Sequence, residues 1–371
     1  MKDDDWDYDS ATFYFPNSDN RTKRFLIAVF KTLEPTSPPN IMFQLYFSMF
    51  AVIVTLFHLI ILSRKSTLTS PVISIMIGIG VCDFVAMIFM TTSGLIDNNN
   101  YNNCAVPNTL FQLFFYWVSA NIQDLARRSS TWLGVVLALT RYIHLKFWSK
   151  PIAHLFSDIY FGFKISLACT AASVPFSIIY YFRFDLVQGE EWDPPEKCGY
   201  IKNEEDPVFI YIQKPSALFT NNNGLFGKIY MLINGTLTEI LPCILLPLLT
   251  FLLIMELRKI SKTSEESTFT KRKVNNRTTG LVIFMAISFF IIVLPVGVCV
   301  VLQVSQTDIG FVYITTYVTH FCDSFFLLNA IAHCLICFAM SSQYRKTVLT
   351  MFQKNTAKTT VSTVLISRHG N

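Results

Sequence analysis

The chain has 371 residues, 52% of them hydrophobic and only 15% charged, with 34 phenylalanines and a mean hydropathy of +0.42. An ordinary soluble protein of that composition is excluded, and lipid is the expected solvent. The net charge of +5 gathers in the loops of one membrane face and implies no nucleic acid partner.

Residues 1–40 open with MKDDDWDYD and hold no apolar core, so they read as an extracellular segment without a cleavable signal peptide. The sequon NRT makes Asn20 a glycan acceptor on that side. A membrane span needs about 20 largely apolar residues, because about 30 Å of hydrocarbon is crossed at about 1.5 Å per residue. Seven stretches satisfy this. Residues 41–62 carry no charge, 71–93 only Asp83, and 109–141 most of the run DLARRSSTWLGVVLALTRY. Next come 159–182 with Lys164, 229–257 with Glu239, 279–302 without charge, and 311–338 with only Asp323. Backbone groups in lipid must bond within their own segment, so these are helices. The fold class is an all-α membrane protein, a seven-transmembrane bundle over residues 41–340, followed by a tail over 341–371.

Lysine and arginine assign the sides. The segments 63–70, 141–158, 256–278 and 341–371 hold 17 of them. The opposite connections hold five, all in 182–228, where eight acids outnumber them. This asymmetry puts the amino terminus outside and the tail in the cytoplasm of a multi-pass plasma-membrane protein. Of nine cysteines, seven lie in the spans, while Cys104 and Cys198 fall in outer loops. On an oxidising side these two predict a disulfide that ties the loop before the third helix to the loop after the fourth. Zinc, phosphate-loop and nucleophile motifs are missing, so no enzyme is expected.

Five segments carry a family resemblance: HLIILSRKS (58–66), IMIGIGVCDF (75–84), RRSSTWLGVVLALTRY (127–142), LPCILLPLLTFLLIMELRK (241–259) and NAIAHCLICFAMSSQYRK (329–346). They resemble the nematode serpentine receptors of class W, a rhodopsin-like family similar to FMRFamide-type peptide receptors. The likeness runs from about residue 41 to 347, and MSSQYRK is its most specific piece. It implies a G protein-coupled receptor for an extracellular ligand, either a neuropeptide or an environmental small molecule. It further implies a heterotrimeric G protein as partner, and an arrestin recruited by phosphorylation of the Ser/Thr-rich tail.

By the same resemblance Arg141, with Tyr142 beside it, meets the G protein, and Asp83, Ser130 and Asn329 either surround a sodium ion or hydrogen-bond to one another without one. Read from the residues alone, Arg141 is also a plain snorkelling anchor at the membrane boundary. The sequence departs from the common pattern in places. Thr140 stands where an acid often restrains this arginine, Val293 replaces a tryptophan, His333 a tyrosine and Thr55 an asparagine.

Arg128 precedes Arg141 by 13 residues, about 20 Å along a helix, which places it at ligand depth. Asp124 stands three and four residues before Arg127 and Arg128, so the three share roughly one face. Charges within a span face the bundle interior, paired, and often mark a binding path. Two arginines against one acid leave a positive charge for a ligand carboxylate, Glu239 or Asp323. Ligand contact and a closed internal network both remain open.

Pro175, Pro242, Pro247 and Pro295 lie inside spans and permit kinks. Residues 341–352 place Tyr344, Val348, Leu349 and Phe352 on one side, the pattern of a short helix on the inner leaflet. GEEWDPPEKCGY at 189–200 predicts a turn or hairpin in an acidic outer loop, which steers cationic ligands inward although the arginines below repel them. Cys104 precedes Arg141 by 37 residues, so either the third helix extends outward or a loop is inserted. A transporter or channel would use the same intramembrane charges, but an odd span count and no visible internal repeat speak against it. An opsin needs a lysine in 311–338, and there is none.

Overall fold

A computed structural model of the chain describes residues 8–68, 70–100, 105–147, 158–193, 207–263, 287, 290–305, 308–340 and 344–351. Two short helices, α1 (Tyr8–Tyr14) and α2 (Asn20–Leu33), precede the bundle. The bundle consists of α3 (Ser37–Leu62), α4 (Pro71–Asn100), α5 (Leu110–Lys146) and α6 (Ile159–Tyr181), then a fifth member in two parts. That member is α7 (Ala217–Asn234), continued through a π-helical turn (Gly235–Ile240) into α8 (Leu241–Thr263). The helices α9 (Phe290–Leu302) and α10 (Ile309–Met340) complete it.

Among the described residues, five helical stretches are long and apolar enough to cross a membrane: Asn20–Leu62, Pro71–Ile96, Tyr160–Tyr181, Ala217–Lys259 and Ile309–Ala339. The helix α5 is more polar, with Asp124, Arg127 and Arg128 near its middle, and α9 is a shorter apolar helix. Side chains sort in the membrane sense. Phe50, Ile53 and Leu167 point outward, while Asp83, Arg128, Ser130 and Asp323 are buried between helices.

Thr109 starts α5 with a capping box: its N–H donates to Gln112 Oε1 (2.8 Å), and the Gln112 N–H donates to Thr109 Oγ1 (3.3 Å). At 37 residues the helix is about 55 Å long and outruns the roughly 30 Å hydrocarbon layer, so the long approach to Arg141 is largely helix. Cys104 and Cys198 lie outside the described residues. The seven span cysteines, 82, 169, 243, 299, 322, 334 and 337, form no disulfide among the described residues.

Strand β1 (Phe184–Glu191) pairs antiparallel with β2 (Phe209–Pro215), Phe184 opposite Pro215, with an irregularity between Gln188 and Glu191. This hairpin marks one end of the bundle, called here the hairpin end. After β2, Asn222, Asn223 and Gly224 adopt positive φ (52°, 56° and 70°), the left-handed region that asparagine and glycine tolerate best, and the break turns the chain into the fifth span.

Residues 8–33 form more than a polar leader. Ala11, Phe15, Leu26, Ile27 and Phe30 make a small core with Phe311 and Ile314 of α10. Asp308 accepts from Asn17 Nδ2 (2.6 Å) and Ser18 Oγ (3.2 Å) at the same junction. Asp19 caps α2, accepting from the Arg21 and Thr22 N–H groups, and Asn20 is exposed as the helix's first residue. At the opposite end, the final described helix, α11 (344–351), is docked rather than only laid on lipid. Tyr344 is 2% exposed and Val348 is buried, while Leu349 faces outward; Phe352 lies outside the described residues.

Candidate ligand cavity and coupling end

The expected charge cluster forms from α5 outward. Asp124 sits between the two arginines because residues three and four apart on a helix are neighbours. Arg128 Nη2 donates to Asp124 Oδ2, and Arg127 Nη2 lies 3.6 Å from Asp124 Oδ1. The arginines then diverge, as consecutive residues on a helix must. Arg127 Nη1 donates to Asp323 Oδ1 and ties α5 to α10. Arg128 turns the other way: its Nη1 donates to Ser173 O (3.1 Å) and Ser177 Oγ (3.3 Å) of α6, with the guanidinium 5.4 Å from the Phe176 ring centre.

A cavity of about 370 Å³ lies beneath the hairpin, within the size range of small-ligand sites. Asp124, Arg127, Glu239 and Asp323 line it, and Arg128 does not. With a side chain only 1% exposed, Arg128 is sealed against α6. Glu239 is presented from the π-helical turn and is 8% exposed. Among the described residues it has neither a hydrogen bond nor an ion pair.

Sequence reasoning missed most of the rest of the wall. Gln44, Trp117, Tyr180, Arg183, Tyr230, Asn234, Gln303 and His320 line the cavity, and Phe184 and Gln213 reach it from the hairpin. Gln44 Nε2 donates to His320 O and to Ser324 Oγ (3.2 Å), Trp117 Nε1 to Tyr181 O (3.0 Å), and Tyr230 OH to Phe176 O (3.0 Å). The available signal was polar side chains within otherwise apolar runs: Gln44, Asn234 and Gln303 are costly in lipid and therefore belong inside.

Lower in the bundle, Ser130 Oγ donates to Asp83 Oδ1 (2.7 Å), whereas no hydrogen bond joins Asn329 to that pair among the described residues. Further toward the tail, Tyr344 OH and His58 Nδ1 are hydrogen-bonded at 2.9 Å, and the His58 and His333 rings stand 5.5 Å apart. Arg141 Nη1 is buried with no partner among the described residues. Tyr142 packs against Leu253 and Leu257 of α8, and its hydroxyl accepts from Lys146 Nζ (2.7 Å). The basic run Lys271, Arg272 and Lys273 that precedes the sixth span lies outside the described residues.

A helical membrane bundle with a polar cavity at one end, and an arginine whose buried Nη1 has no partner among the described residues toward the other, is the architecture of a G protein-coupled receptor. The Serpentine type 7TM GPCR chemoreceptor Srw family matches residues 42–355, and the chain belongs to that family. It is also similar to the G-protein coupled receptor dmsr-1 of Caenorhabditis elegans, 23% identical over 252 residues. That match covers 64% of this chain and 46% of the relative, so the chain spans about half of the relative's length. As a receptor of this class it is not an enzyme.

Proposed function

We propose that the hairpin end faces the outside of the plasma membrane, that the cavity beneath it receives an extracellular peptide, and that occupancy drives nucleotide exchange on a heterotrimeric G protein at the Arg141 end. The observation that carries this reading is the Arg127–Asp323 tie, an ion pair that joins α5 to α10 across a ligand-sized cavity. A ligand that competes for either partner has different contacts in the tied and untied bundles, and only such differential contact can shift a conformational equilibrium. At about 370 Å³ the cavity takes one or two side chains, so a peptide would insert its end while the hairpin and α1–α2 hold the remainder. A small environmental ligand would fit the same volume, and the chemoreceptor family favours that second reading.

Three further parts belong to the same proposal: a glycan on the exposed Asn20, a Cys104–Cys198 disulfide, and a sodium ion held by Asp83 and Ser130. The test is G protein activation in cells that display the receptor, challenged with amidated peptides and with small organic acids and amines. A saturable peptide response supports the main reading, and a response to small molecules alone replaces it with the second. Silence to every compound at verified surface expression refutes both.

A further inference from the structure

The charges that face Glu239 are those of Arg127, Arg128, Asp124 and Asp323. Counted with Glu239, three acids meet two cations, so one acid has no cation of its own. Both arginines are committed elsewhere, Arg128 to Asp124 and α6, and Arg127 to Asp323 with Asp124 close by. Arg183, the remaining cation on the cavity wall, lies at the hairpin with its guanidinium 5.0 Å from the Phe184 ring centre and 5.8 Å from that of Tyr180. Glu239 is therefore a carboxylate more than nine-tenths buried on the cavity wall, which feels the charge of Arg127 but makes no hydrogen bond or ion pair among the described residues. A buried acid in that condition is costly unless something cationic joins it.

Its seat is also unusual. The turn Gly235–Ile240 is π-helical, and the extra residue in such a turn rotates the side chains that follow; π-bulges recur at functional sites. The helix α9 is pressed against this turn. A methyl added at Gly297 would lie 2.8 Å from Glu239 Cβ, and one added at Gly235 would lie 2.8 Å from Val301 Cγ2. Pro295, two residues from Gly297, sits in the same apolar helix.

We infer that Glu239 is the counter-ion for a cationic ligand group, a guanidinium or an ammonium, received at the contact between the π-helical turn and α9. The inference rests on the receptor reading and supplies the ligand charge that the sequence left undecided. The rings of Trp117, Tyr180 and Tyr230 and the amide groups of Asn234 and Gln303 surround the same space, which suits an organic cation better than a bare metal ion.

The experiment uses the purified full chain and two probes of matching shape, N-acetyl-arginine amide and N-acetyl-citrulline amide, of which only the first is charged. The arginine probe is expected to raise the apparent Tm by about 2 °C near saturation, and the citrulline probe to leave it unchanged. Glu239→Gln abolishes the arginine shift, while Glu239→Asp retains it and shows that charge rather than shape is read. Gly297→Ala, which crowds the carboxylate's root, raises the concentration for half the shift about fivefold or more. A wild-type chain that responds to neither probe, or Glu239→Gln responding as wild type does, overturns the site. An unchanged Gly297→Ala response overturns the part played by α9. G protein nucleotide exchange is read separately: an arginine shift with no exchange under any ligand keeps the cation site and removes the receptor proposal.

Discussion

Replacing Arg128 by glutamine tests whether the two adjacent arginines have separate roles. The substitution removes an ion pair to Asp124, hydrogen bonds of 3.1 and 3.3 Å to α6, and the ring contact with Phe176. Interhelical hydrogen bonds in membrane proteins average about 0.6 kcal/mol, so the two to α6 contribute about 1 kcal/mol. A desolvated cation over a ring adds about 1 kcal/mol. Breaking a buried ion pair costs about 3–5 kcal/mol, reduced here because Asp124 is 21% exposed and keeps Arg127 at 3.6 Å. The expected net loss is about 3 kcal/mol, seen as a fall in apparent Tm on the order of 5 °C and as lower surface expression. Agonist potency per surface receptor should change less than in Arg127→Gln, since Arg128 reaches Glu239 only through its charge and does not line the cavity. An apparent Tm within ~1 °C of wild type together with a potency change as large as that of Arg127→Gln would refute the assignment.

Arg127→Gln and Asp323→Asn each cut the tie between α5 and α10, and each should raise basal nucleotide exchange severalfold. The double variant should show no more than the larger single effect, because both act on one bond; additive effects would show that the pair is not a unit. Tyr344→Phe removes a buried hydrogen bond to His58 worth about 1–3 kcal/mol, and should speed hydrogen exchange across residues 344–351 while leaving the bundle protected. Gly310→Leu would place a Cβ 2.5 Å from the Phe15 ring and 2.8 Å from Tyr14 O. It should release α1 and α2 from α10, measured as faster proteolysis of residues 8–33; unchanged protection would show that this core is not what holds them.

Much of the architecture was readable because the constraint is simple. Helix α3 ends at Leu62, α4 begins at Pro71 and α6 spans Ile159–Tyr181, each within a few residues of the apolar run that demanded it. The docked face of α1 and α2 was not readable. Its apolar positions are few and scattered, and they form a core only when Phe311 and Ile314 of a helix nearly 300 residues away are brought against them.

The cluster Asp124, Arg127 and Arg128 was legible as a group, since spacing along one helix sets which side chains are neighbours. Which arginine lines the cavity was not. The two differ by a rotation of about 100° on the helix, and only the placement of α6 and α10 around α5 decides that one is sealed and the other bridges. Glu239 shows the same division. An acid in a span had to face inward, because lipid cannot solvate it. Its direction depended on the π-helical turn and on Gly297 of a different helix, features that no local pattern encodes. Solvent thus determines from sequence alone that these groups lie inside the bundle, whereas their partners are set by contacts between segments remote along the chain, and only tertiary packing specifies those.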